Sequence, residues 1–265
     1  MKKVMILMMA LGFIFGTLTL EAKTTKKGSS RKTSSTLPVT KGETKQYGDY
    51  LTTQLFYIKK GKENEIKLEY PVSGNPRLVN AMRNRIKESL NSKFAGGLES
   101  PEALMRSALK GKRDVSYGQD GESLNEDIHV VYSTPEIVTL GDTGYSYMGG
   151  AHGSSWNVPT TFLVEDGTEF NQDMFPDITK FRPYILKGLA KSFDIPQSEL
   201  GEWIFSPENV DYPGTITIDS DGIHFIYQQY EIGPYSLGLP EAVVPATSDV
   251  INLLTPQGRR FFQSR

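Results

Sequence analysis

Two periodicities run through the chain: short runs in which apolar and polar residues alternate, and longer ones in which apolar residues recur every three or four positions. Leu51 to Ile58 is rich in residues that suit a pleated surface, and Glu65 to Tyr70 alternates cleanly, so both read as strands. Pro71 ends the second. Asn75-Pro76 then supplies a cap and a first-turn proline for a helix with an apolar stripe of Leu78, Met82, Ile86 and Leu90, stopped at Gly96-Gly97. Ser100-Pro101-Glu102 opens a second helix, closed by Gly111. Further along, strand patterns occupy 128–132, 137–140, 144–148, 159–164, 215–218 and 223–230. Helical patterns occupy 181–193, with Pro183 in the first turn, 197–204 and 248–254. Strands grouped with inserted helices, without strict alternation or internal repeat, predict an α+β fold. Its antiparallel sheets carry helices packed on them, in two small subdomains, 47–113 and 114–265.

The N-terminus follows another logic. Met1-Lys2-Lys3 precedes an apolar run from Val4 to Phe15 and a small-residue site at Leu20-Glu21-Ala22, the pattern of a secretory signal over 1–22. Residues 23–46 are mostly Lys, Thr, Ser and Gly, with little to bury, and read as a disordered basic tether. Its lysines and arginines give weak attraction to an anionic wall or membrane surface. The expected location is outside the cytoplasm, periplasmic or extracellular.

The chain of 265 residues contains no cysteine, which excludes a disulfide framework, cysteine-ligated zinc and a thiol nucleophile. Its net charge of −2 conceals a division. From Tyr47 to Arg113 there are 13 Lys/Arg against 7 Asp/Glu, whereas from Asp114 to Gly258 there are 22 acids against only Lys180, Arg182, Lys187 and Lys191. So acidic a stretch repels nucleic acid and steers a cationic partner. Asp219-Ser220-Asp221-Gly222 and Glu165-Asp166-Gly167 place acids beside glycine as hairpin turns require, rather than as calcium cages.

Two motifs carry candidate binding chemistry. In Tyr145-Ser146-Tyr147-Met148-Gly149-Gly150-Ala151-His152-Gly153, a strand of alternating aromatics runs into a glycine cluster. Gly149 and Gly150 let the backbone bend sharply, and bare N–H groups beside the His152 imidazole suit a carboxylate or a partner's carbonyl. In Tyr230-Glu231-Ile232-Gly233-Pro234-Tyr235-Ser236-Leu237-Gly238, a Gly-Pro pair fixes a loop that displays tyrosines. Tyr230, Glu231, Pro234 and Tyr235 are its candidate contacts, because tyrosine anchors an interface at low entropic cost. A purely structural role for His152, and burial of the two tyrosines in the core, remain open alternatives.

These two motifs, the Glu165-Asp166-Gly167 hairpin, Phe170 to Phe175 and Val244-Pro245 together resemble domain of unknown function 3298, the C-terminal domain of the anti-sigma factor RsiV and of PdaC-type deacetylases. Ile66, Leu68, Tyr70 and Pro71 with the following helix resemble the companion domain that precedes it. The resemblance implies an α+β fold, export and a surface that engages lysozyme, itself strongly cationic. It does not carry over a deacetylase centre, because His129, His152 and His224 are too scattered to form that family's metal motif.

No catalytic pattern emerges. Gly153-Ser154-Ser155-Trp156-Asn157 lacks the final glycine of a nucleophile elbow, and Met148 to Gly153 lacks the first glycine of a dinucleotide fingerprint. The sequence therefore predicts no catalytic residue, no metal and no cofactor. It points to an exported envelope protein that binds a cationic, lysozyme-like protein. A cell-wall glycan binder or hydrolase and a structural envelope protein without soluble ligand are the alternatives.

Overall fold

The computed structural model describes residues 37–90, 100–110 and 122–263; the signal pattern and the tether as far as Thr36 lie outside them. Strands β1 (Val39–Tyr47), β2 (Leu51–Lys60) and β3 (Asn64–Gly74) form an antiparallel meander. Helices α1 (Pro76–Ser89) and α2 (Pro101–Ala108) follow, α1 with Asn75 as its cap: the side chain accepts from the Arg77 N–H at 3.0 Å. Strand β4 (Ser123–Ser133) then pairs parallel with β3, and β5 (Ile137–Tyr147) returns antiparallel beside it. The short strands β6 (Ser154–Asn157) and β7 (Thr160–Leu163) divide the outer edge of β5 between them, completing a seven-stranded sheet.

Helix α3 (Ile178–Ser192) crosses to a second, three-stranded sheet of β8 (Thr215–Ile218), β9 (Ile223–Ile226) and β10 (Glu241–Val244), in the order β10-β9-β8. Two short helices, α4 (Ser248–Asn252) and α5 (Pro256–Arg259), close the chain. The α+β class is as expected, with one parallel pair inside an otherwise antiparallel arrangement.

The structure departs from the sequence reading in several places, three of which bear on the organisation of the chain. Residues 39–46 are strand rather than tether; β1 exposes most of its side chains and is held by backbone pairing to β2, which leaves no hydrophobic signature. The division at 113/114 is not where the packing divides, because β3 and β4 pair across it. One hydrophobic cluster instead runs from Leu51 to Val164 and the other from Ile137 to Phe262. Helix α3 begins three residues before the expected 181, because the Asp177 side chain accepts from the Thr179 N–H at 2.9 Å, which puts Pro183 inside the helix.

The two sheets meet without pairing backbones. The Thr139 hydroxyl on β5 lies 2.8 Å from that of Thr161 on β7, which lies 2.7 Å from that of Thr217 on β8. All three residues are buried. A chain of hydroxyls inside an apolar interior stays favourable only while each member keeps its neighbours. Thr161→Val therefore lowers stability by about 1–3 kcal/mol in urea unfolding, and Thr161→Ser recovers most of the loss.

Candidate functional site

The loop after β5 and the loop after β9 meet at the surface. Gly149 and Gly150 adopt φ of +91° and +95°, and a Cβ at either would meet nothing within 4 Å, so glycine serves conformation there rather than close approach. Gly153 has the opposite reason: a Cβ would stand 2.3 Å from the Tyr145 ring. Between them His152 is exposed and stacked on Tyr235, with ring centroids 3.8 Å apart and planes at 26°. Its Nε2 lies 3.1 Å from the Tyr230 hydroxyl, across 78 residues of sequence. Tyr235 donates its hydroxyl to the Gly153 carbonyl at 3.1 Å, and Tyr147 donates to the Gly150 carbonyl at 2.9 Å.

Tyr230 is 56% exposed and holds φ of +69°, a left-handed conformation that a bulky residue adopts only when its surroundings impose it. What imposes it is Glu231. One of its carboxylate oxygens accepts from the Gln228 N–H at 2.7 Å and the other from the Gly214 N–H at 3.2 Å. Glu231 thus closes its own loop while remaining exposed at the surface. Pro234 is exposed and leads into the one-turn helix Tyr235–Leu237 that presents the Tyr235 ring.

Sequence reasoning missed Gln228 and Gln229. Gln229 Oε1 accepts from the Ser155 N–H at 3.0 Å, and Gln228 donates to the Asn157 carbonyl at 2.9 Å, so two side chains take the place of a strand beside β6. A polar pair directly after an apolar strand was the one visible signal. Trp203, 38% exposed, and Phe205, 67% exposed, adjoin the second loop, where the Phe205 N–H donates to the Ile232 carbonyl at 2.9 Å.

Strand β6 is braced from beneath. Trp156 donates its indole N–H to Asp142 at 2.8 Å, and its ring lies over Gly144, where a Cβ would stand 2.2 Å from it. Beside Asp142 sits Glu126, buried, with one oxygen lacking a hydrogen-bond partner. Burial, and then the Asp142 charge, push its carboxyl up to about 8, so it is mostly neutral at pH 7.

The other two histidines serve local pairings. His129 bonds Asp127 at 2.9 Å. His224 is clasped by Glu241 at 2.6 Å and Asp219 at 2.7 Å; burial pulls its pKa down, but the two carboxylates outweigh that and hold it above the ordinary value. Among the described residues no group of three or more His, Cys, Asp or Glu side chains is placed to hold a metal ion. No helix among them is long and apolar enough to cross a membrane.

The α+β fold has known counterparts. Residues 170–247 match the family model described as protein of unknown function DUF3298, and residues 58–155 match the model described as deacetylase PdaC. Residues 170–247 are thus a DUF3298 segment, with the companion segment in front of it. The segments fall on either side of β7, in line with the two hydrophobic clusters. The crystal structure of a DUF3298 family member from Bacteroides fragilis is similar at 18% identity and a TM-score of 0.55, covering 87% of this chain and 99% of that one. A DUF3298 family protein from Pseudomonas aeruginosa is similar at 17% identity and a TM-score of 0.55, covering 86% of this chain and 98% of that one. No curated protein matches the sequence.

Because Glu126 titrates higher folded than unfolded, the folded state keeps its proton longer, and its contribution to stability is lost as pH rises from about 4.3 through 8. Glu126→Gln removes that slope. The variant melts higher than the parent at pH 9 and close to it at pH 4.

Proposed function

We propose that this protein is an exported, non-catalytic binding protein of the bacterial envelope that engages a cationic, lysozyme-like protein through the face built by Gly149, Gly150, His152, Tyr230, Glu231, Pro234 and Tyr235. The observation that carries the reading is the stack of exposed His152 on half-buried Tyr235, with exposed Tyr230 hydrogen-bonded to the same imidazole. Rings held by their neighbours lose little freedom on binding, and their faces attract lysine and arginine side chains. Charge supports it: the four basic residues of the 114–258 stretch all lie on α3, and its 22 acids all lie off that helix. That field raises the rate at which a cationic partner arrives and weakens with salt. The lysozyme part comes from the family resemblance, and export from the basic and apolar start of the chain.

A second reading, a cell-wall glycan binder, is favoured by Trp203 and Phe205, whose exposed rings beside the second loop could stack on sugar faces. Salt separates the two readings.

Immobilised protein is expected to capture a cationic lysozyme at low salt, with capture falling as salt rises. The double variant Tyr230→Ala/Tyr235→Ala loses at least tenfold in affinity, about 1.4 kcal/mol. Absence of capture at low salt, or equal capture by the variant, contradicts the proposal. Retention on purified peptidoglycan that ignores ionic strength supports the glycan reading instead.

A further inference from the structure

The same helix that gathers the basic residues borders an open strand edge. Lys180, Tyr184, Lys187 and Lys191 recur at intervals of four, three and four on α3, which places them on one face, and all four are exposed. Neither Lys187 nor Lys191 takes part in the ion pairs found among the described residues.

Beneath them lies β10, an edge strand of the three-stranded sheet. Gly188 allows α3 to press onto it, since a Cβ there would stand 2.9 Å from the Ala242 Cβ. To one side of this contact a groove of about 340 Å³ opens between Tyr184, Lys187 and Lys191 on the helix and Val243 and Val244 on the strand, with Pro245 just beyond its end.

The register fixes which backbone groups face the free edge. The Tyr227 N–H donates to the Pro240 carbonyl at 2.8 Å, and Ala242 and Val244 stand opposite Phe225 and Ile223. Antiparallel strands alternate hydrogen-bonded and non-bonded pairs, so Ala242 and Val244 address β9, and the N–H and C=O of Glu241 and Val243 point away from it. A row of outward-pointing donors and acceptors is a template for a further strand. The Glu241 carboxylate leaves the lysines free, because it is bound to His224.

We infer that this groove takes an extended acidic peptide, which adds as a strand to the edge of β10. Its carboxylates meet Lys187 and Lys191, and an apolar side chain packs on Tyr184, Val244 and Pro245. Charge complementarity selects the occupant, because the four basic residues of the 114–258 stretch all lie on α3, away from its 22 acids. The site is separate from the His152–Tyr235 face and does not depend on what that face binds.

The probe is a fluorescein-labelled peptide of alternating valine and glutamate, titrated into the full chain and followed by anisotropy. Saturable binding at low salt is expected, at least tenfold weaker with Lys187→Glu/Lys191→Glu, and lost when alternate peptide amides are N-methylated. Tyr230→Ala leaves it unchanged. The neutral pair Lys187→Gln/Lys191→Gln, checked to melt with the parent, is expected to weaken binding less than the charge reversal. No saturable binding, equal binding by the charge-reversed variant, or equal binding of the N-methylated peptide would each overturn the inference. The last shows charge attraction without strand addition.

Discussion

The hydroxyl chain Thr139–Thr161–Thr217 is the constraint on which the functional geometry depends. It holds β5 and β7 of one sheet against β8 of the other where no backbone ladder joins them. The first motif leaves the end of β5, and the second leaves the end of β9, which pairs with β8. Fixing β5 to β8 therefore fixes the distance between the loops, and Gln228 and Gln229 repeat the same device at the rim. His152 reaches Tyr235 only because both clamps hold.

Charge and burial then decide what that geometry offers. The count of 22 acids overstates the negative surface, since Glu126 and Asp142 are buried and both have raised pKa values, mainly through desolvation. It also conceals that the opposing positive charges sit on one helix. The 114–258 stretch thus carries its acids off α3 and its basic residues on it, with Arg260 beyond the stretch engaged by Glu165 and Asp166, and the two proposed recognition features, aromatic loops and a lysine-rimmed groove, suit partners of opposite charge.

Much of this was legible in the residues. The alternation of Glu65 to Tyr70 and the Asn75-Pro76 start located β3 and the first residue of α1, but β3 runs on through Pro71 to Gly74 and α1 ends at Ser89, before the expected glycines. Strand β5 reads as two pieces because Gly141 to Gly144 interrupts its apolar pattern, and Gly144 is there to admit Trp156. Strand β9 stops at Ile226, short of the expected Tyr230, because Gln228 and Gln229 turn their side chains to β6 and Tyr230 turns left-handed. Strand β1 escaped because its stability lies in backbone pairing. Both motif loops were identifiable, but a contact spanning 78 residues leaves no mark in local sequence, and neither do the backbone partners of the exposed Glu231, which are brought to it only in the folded chain.

Hydrogen–deuterium exchange of the protein with and without a cationic lysozyme tests the central claim most directly. The account predicts added protection in 145–155 and 228–238, with α3 and the β10 edge unchanged. Protection that spares both loops, or falls elsewhere in the body, would contradict it.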